Sequence, residues 1–126
     1  MRRKTGYSLF AGLLVLFLIT LTSAFANKSS ITIDAPESAT QGSEITIKIH
    51  VAHEGNSMFH HTQWVYVMIN DKKIERWEYT WRKRPEAENF TKEITYTVNE
   101  PIEIVAEASC NIHGSKGKVI KKVSLQ

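Results

Sequence analysis

Cysteine is nearly absent from this chain of 126 residues: Cys110 stands alone. One cysteine excludes a disulfide within the chain. In an exported protein a lone thiol is free, bridges two chains or binds a metal. An apolar run of the ~20 residues a membrane-spanning helix needs is also missing. The longest, Leu9 to Leu21, falls short of it. Helical periodicity, internal repeats and low-complexity segments are missing too. A charge of one sign is lacking once the first residues are set aside. The chain has 16 Lys and Arg against 13 Asp and Glu, and Arg2, Arg3 and Lys4 account for the excess. The remainder is balanced and gives no support for nucleic-acid binding. The local Arg82-Lys83-Arg84 run reads as a solvated loop, since Pro85 and Glu86-Ala87-Glu88 follow it.

What is present at the start has the parts of a secretory signal. The basic Arg2-Arg3-Lys4 precedes the apolar run, and Ala24-Phe25-Ala26 supplies an Ala-x-Ala end. The expected division is a signal peptide over 1–26 and a mature domain over 27–126. The expected location is periplasmic or extracellular. If the signal stays on the chain, it is a membrane anchor instead.

The remaining residues carry the period-2 pattern of strands. Ile31-Thr32-Ile33-Asp34 alternates, and Ile45 to Val51 alternates over its whole length. Gln63–Ile69, Lys73–Trp81, Thr91–Val98, Ile102–Ser109 and Lys118–Leu125 complete the set. Asn70-Asp71-Lys72 and Asn99-Glu100-Pro101 read as turns. Asn27 to Ser30 reads as a loose leader. The expected fold is all-β: an immunoglobulin-like antiparallel β-sandwich of about seven strands. Trp64, Tyr66, Met68 and Ile104 read as core or sheet-face residues.

Chemistry concentrates in two places. Cys110-Asn111-Ile112-His113-Gly114 sets a thiol three positions before an imidazole, a pair able to bind one metal ion. Of five histidines, four (His50, His53, His60 and His61) lie between positions 50 and 61. His53 and His60 flank a predicted loop, and sandwich loops cluster at the two edges. His53, His60, Cys110 and His113 are therefore the candidate metal ligands. The plainer alternative is a set of surface histidines and a buried structural cysteine. His50 continues the outward phase of Thr46 and Lys48, so it is expected to face solvent. Neighbours in an extended chain point to opposite sides. Only one of His60 and His61 is then expected at the site.

In order, Ala52-His53, His60-His61-Thr62-Gln63-Trp64 and Cys110-Asn111-Ile112-His113-Gly114 resemble the iron-binding domain of superoxide reductases, the neelaredoxin and desulfoferrodoxin group. The likeness spans most of residues 31–125. It implies an immunoglobulin-like fold with one iron (Fe2+/Fe3+). His53, His60 and His113 would be equatorial ligands and Cys110 the axial thiolate, the residue to which catalysis is assigned. Superoxide would be the substrate, reduced to hydrogen peroxide at the position opposite the thiolate. The spacing to Trp64 picks His60 over His61. The family's usual Glu-Lys-His segment is replaced here by Asn27-Lys28-Ser29-Ser30. Its fourth histidine would fall near Ser29. A fifth protein ligand then comes from elsewhere, or water takes its place. Lys28 or Lys116 is expected to attract the superoxide anion.

Three other readings use the same residues. One Cys and three His suit tetrahedral zinc. Cys110 and His113 fit part of a copper electron-transfer site, with Met58 as a weak axial ligand. In the third, the sandwich is a non-catalytic interaction module and Cys110 a thiol or dimer bridge. A single cysteine leaves no second iron centre held by four thiolates, so the electron donor is external. A homo-oligomer is compatible with the sequence.

Overall fold

The computed structural model describes residues 27–126, and the expected signal peptide over 1–26 lies outside them. Eight strands follow one another: β1 Ser30–Asp34, β2 Ser38–Ala39, β3 Ser43–Ala52, β4 Thr62–Ile69, β5 Lys72–Glu78, β6 Phe90–Val98, β7 Ile102–Cys110 and β8 Val119–Leu125. They form two sheets, of order β1-β3-β6 and β2-β8-β7-β4-β5. The described residues thus make an all-β sandwich without a helix. No helix among them is long and apolar enough to cross a membrane.

Alternation decides which side chains face inward. In β3, Ile45, Ile47, Ile49 and Val51 are buried while Glu44 and Thr46 between them are exposed. In β4, Val65, Val67 and Ile69 point into the core, and Trp64, Tyr66 and Met68 lie half-buried on the opposite face. Trp64 stacks on Tyr66 there at 5.6 Å, and the Arg76 guanidinium covers Trp64. Ile102, Ile104, Ala106 and Ala108 give β7 the inward row that meets β3 and β1. Fully burying a side chain of this class is worth about 1.5–3 kcal/mol. This row fixes β7, and Cys110 at its end, relative to the other sheet.

Turn chemistry sets the register of the β4–β5 hairpin. Asn70 and Asp71 both have positive φ, 49° and 65°. That is the type I′ geometry whose twist matches the flanking strands. Asn70 also accepts the Glu103 amide through its side chain at 2.9 Å, pinning the hairpin to β7.

Two segments depart from the sequence reading. Ser38–Ala39 forms a two-residue strand pairing parallel with Ser124–Leu125, too short to show any period. Asn27 to Ser30 is not a loose leader. Ser29 is fully buried, its amide donates to Gly114 O at 3.3 Å, and its carbonyl accepts the Lys116 amide at 3.0 Å. The backbone partners of Ser29 lie more than eighty residues away, out of reach of local pattern.

Ile104 is completely buried on the central strand of the larger sheet. Ile104→Ala is expected to cost about 2–5 kcal/mol. Urea unfolding followed by tryptophan fluorescence should show a lower midpoint with an unchanged slope.

Candidate metal centre

Cys110 ends β7 and is 3% exposed. The chain then turns back on itself: Cys110 N donates to Gly114 O at 2.9 Å and Gly114 N to Cys110 O at 3.3 Å. Gly114 has φ +82°, a conformation that only glycine adopts freely, which explains the motif's last residue. The turn aims two amides at the sulfur. Ile112 N and His113 N each donate to Cys110 Sγ at 3.4 Å.

Asn111 explains the second position of the motif, to which the sequence reading gave no role. Its Oδ1 accepts the His61 amide at 3.0 Å and its Nδ2 donates to Phe59 O at 3.1 Å. Its own amide donates to His61 O at 3.0 Å. One side chain thus clamps the histidine-bearing loop to the cysteine turn. A β-bulge lies beside this clamp: Thr62 pairs with Cys110 and Trp64 with Ser109, which leaves Gln63 as the extra residue. Bulges re-aim side chains next to sites.

The donor atoms of His53, His60 and Cys110 lie within 4.8 Å of one another. His113 Nδ1 is 3.1 Å from His60 Nε2 and 3.9 Å from Cys110 Sγ. The His60 ring stands edge-on to both His53 and His113, at centroid distances of 4.7 and 4.9 Å. All four residues singled out from the sequence therefore meet at one edge of the sandwich. His61 is buried nearby, but its Nδ1 bonds Ser57 O at 3.1 Å. His50 lies on β3, where Nδ1 meets Thr91 Oγ1 at 2.8 Å and Nε2 approaches Asp34. Met58 is exposed and lines an apolar hollow with Phe59 and Trp81.

This cluster fits a cation on the chemistry of its donors. Ligands on one ion with bonds of ~2.0–2.3 Å stand no more than ~4.6 Å apart, close to the observed spread. His53 Nδ1 lies 2.8 Å from Gly55 O and its Nε2 2.9 Å from Asn27 O, two carbonyls that a neutral imidazole with one N–H cannot both bond, so one ring nitrogen faces a carbonyl with its lone pair. Two lone pairs facing each other repel, and a cation beside them removes the conflict. The Nδ1 bond is the kind of outer contact that fixes the tautomer of a metal-binding histidine. Gly55 has φ +123°, and a Cβ there would stand 2.7 Å from His60 Nδ1. Glycine is required at this point for both reasons.

Burial lowers the His60 pKa below 6.5, and the charges of His53, His113 and His61 lower it further. A hydrogen bond with the Asn27 backbone offsets part of this. Beside His53 opens a cleft of about 260 Å³, lined among others by Lys28, Glu54, Glu88 and Lys116. Ser29, where the family's fourth histidine was expected to fall, bonds Thr62 Oγ1 through its hydroxyl at 2.9 Å. It is a structural residue of the interior.

Two outcomes are expected. Asn111→Ala removes the clamp and should weaken Co(II) binding by about 10–100-fold, read by chelator competition. In metal-free protein the unfolded chain takes up the His60 proton more readily than the folded one. Stability should therefore fall as pH drops below 6.5 and through the lower folded value. His60→Gln should flatten that slope in urea titrations across pH.

A family model described as Desulfoferrodoxin matches residues 22–116. The fold is similar to a point variant of the superoxide reductase (neelaredoxin) from Ignicoccus hospitalis, with TM-score 0.68, 19% identity, and 82% of this chain and 85% of that one covered. It is also similar to a putative superoxide reductase from Thermotoga maritima, with TM-score 0.60, 21% identity, and coverage of 77% and 86%. A CARDB domain from Pyrococcus furiosus, in complex with two metal ions, shares the fold at TM-score 0.58 and 14% identity, with coverage of 78% and 87%. The sandwich alone is thus not tied to one activity. Among curated protein sequences none matches the chain. The match to the family model spans most of the chain and takes in His53, His60, Cys110 and His113, and on that ground the protein belongs to the desulfoferrodoxin family.

Proposed function

We propose that this protein is an exported mononuclear iron protein that reduces superoxide to hydrogen peroxide. The observation that carries the reading is the convergence of His53, His60 and Cys110 donors within 4.8 Å, with His113 Nδ1 at their side, in a desulfoferrodoxin-family chain. His53 Nε2, His60 Nε2, His113 Nδ1 and Cys110 Sγ would hold the ion. Bound iron would supply the single electron that superoxide needs by passing from the ferrous to the ferric state. Peroxide also requires two protons, which come from solvent.

The rest is work for the protein's own groups. The Ile112 and His113 amides stabilise negative charge on Cys110 Sγ, and so tune how strongly the thiolate donates. Lys28 and Lys116 line the cleft beside His53 together with Glu54 and Glu88, and the two lysines are the groups there that attract an anion. Burial of Cys110 and His53 keeps water from these two donors. The external electron donor is a protein or small molecule that restores the reduced state.

Iron suits this site better than copper. The candidate axial Met58 sits in the hollow with Phe59 and Trp81, and no sulfur other than that of Cys110 is in the donor group. Zinc remains the chemical competitor for one thiolate and three imidazoles. Because zinc carries no redox chemistry, optical spectra separate the two.

Iron-loaded protein should show a visible thiolate-to-iron charge-transfer band on oxidation, and Cys110→Ser should abolish it. Pulse radiolysis should show superoxide consumed with one peroxide formed per superoxide and no oxygen released. A rate that falls as ionic strength rises would report the lysine-lined approach. Absence of the band in the iron-loaded wild type would remove the proposal, as would oxygen evolution at half the superoxide consumed.

A further inference from the structure

The cluster has three imidazoles and one thiolate, and the position near Ser29 is closed by its bond to Thr62. Another residue of the N-terminal segment reaches the donors instead. Asn27 O lies 2.9 Å from His53 Nε2. This segment is held firmly. Ser29 pairs with Ser115 and accepts and donates backbone bonds with Lys116 and Gly114, directly after His113. Asn27 therefore rests on the loop that carries two of the candidate ligands.

Asn27 is also the residue that follows Ala24-Phe25-Ala26, where the leader pattern places cleavage. We propose that this cleavage makes a metal ligand: the freed α-amino group of Asn27, together with its own carbonyl oxygen, completes the centre. The inference rests on the metal-centre reading above and extends it to the source of the missing donor. An export peptidase adds water across the Ala26–Asn27 bond, leaving a carboxyl on Ala26 and an amine on Asn27. Before cleavage that nitrogen is a peptide nitrogen, its lone pair delocalised into the Ala26 carbonyl and useless to a metal. After cleavage it is a free donor.

Covalent geometry places it well. A residue's nitrogen lies within about 4 Å of its own carbonyl oxygen. With that oxygen 2.9 Å from His53 Nε2, the amine lies within about 7 Å of the same nitrogen, and a rotation about the Asn27 backbone brings it to the donors. Amine nitrogen and carbonyl oxygen on one ion close a five-membered ring, a favourable chelate size. The convergence of lone pairs between Asn27 O and His53 Nε2 is the feature such a chelate would resolve. The ligand set would then be assembled only after export, so the leader-bearing chain would carry an incomplete site.

The test uses the full chain exported from cells, with the N-terminus of the purified protein read by intact mass. Its partner is the same chain with one alanine inserted between Ala26 and Asn27, processed to leave Ala-Asn27 at the start. Both are titrated with Co(II) against a chelator, and the Asn27 amine of the first is probed by acetylation with and without Co(II). The expected result is an N-terminus at Asn27 and Co(II) protection of its amine. The alanine-extended form should bind about tenfold or more weakly, with an altered Co(II) ligand-field spectrum. Equal affinity and identical spectra would overturn the proposal, as would an N-terminus elsewhere. Cys110→Ser in the same titration separates the two levels. If the thiolate-to-Co(II) band depends on Cys110 while the extension changes nothing, the amine ligand fails and the metal centre stands. If no form binds Co(II), both fail.

Discussion

The turn from Cys110 to Gly114, clamped by Asn111 to the loop before β4, is the constraint on which the site depends. Donors from segments about fifty residues apart must meet within a few ångströms, and backbone order alone does not ensure that. The central strand β7 delivers Cys110 at a position set by its buried row of Ile102, Ile104, Ala106 and Ala108. Asn111 then fixes the histidine loop by three hydrogen bonds to Phe59 and His61. Core packing thus becomes site geometry, because a close-packed interior transmits position with little slack. The sulfur is part of both: it closes the end of the core and receives the amides of the turn.

The same arrangement is unfavourable when nothing binds in it. Imidazoles crowd one another, and the crowding together with burial holds His60 away from its protonated form. His60 Nε2 faces His113 Nδ1, and His53 Nε2 faces a carbonyl. A single cation satisfies every one of these atoms at once. An ion held by these donors would therefore couple its binding to the folding of this edge.

The strands were legible because period-2 alternation is a local property, and β3 and β4 display it over their whole lengths. The outward phase of His50 followed from the same rule, which admitted only one of His60 and His61 to the site; the choice of His60 came from the family resemblance. What local pattern missed is set by distant partners. β2 exists only through its parallel pairing with β8. Ser29 is buried only because Gly114, Lys116 and Thr62 receive it. Asn111 is one polar residue in a loop, and nothing in its neighbours says that both ends of its amide are occupied. Gly55 is a further case: the sequence shows a glycine in a loop, and only the fold shows the His60 ring against it.

The departure from the family at Ser29 changes what the site can hold. Four protein donors of this kind make a closed tetrahedral set, the arrangement zinc favours. Redox iron chemistry with an exchangeable substrate position needs a higher coordination number. The segment of residues 27–30 lies close against the edge that carries these donors. Its backbone is bonded to the His113 turn, its serine hydroxyl is satisfied inside, and its first described carbonyl points at His53. A chain that had abandoned the position would have no reason to hold the segment so closely. Donor number, rather than donor type, is then what separates an electron-transferring centre from a structural one here.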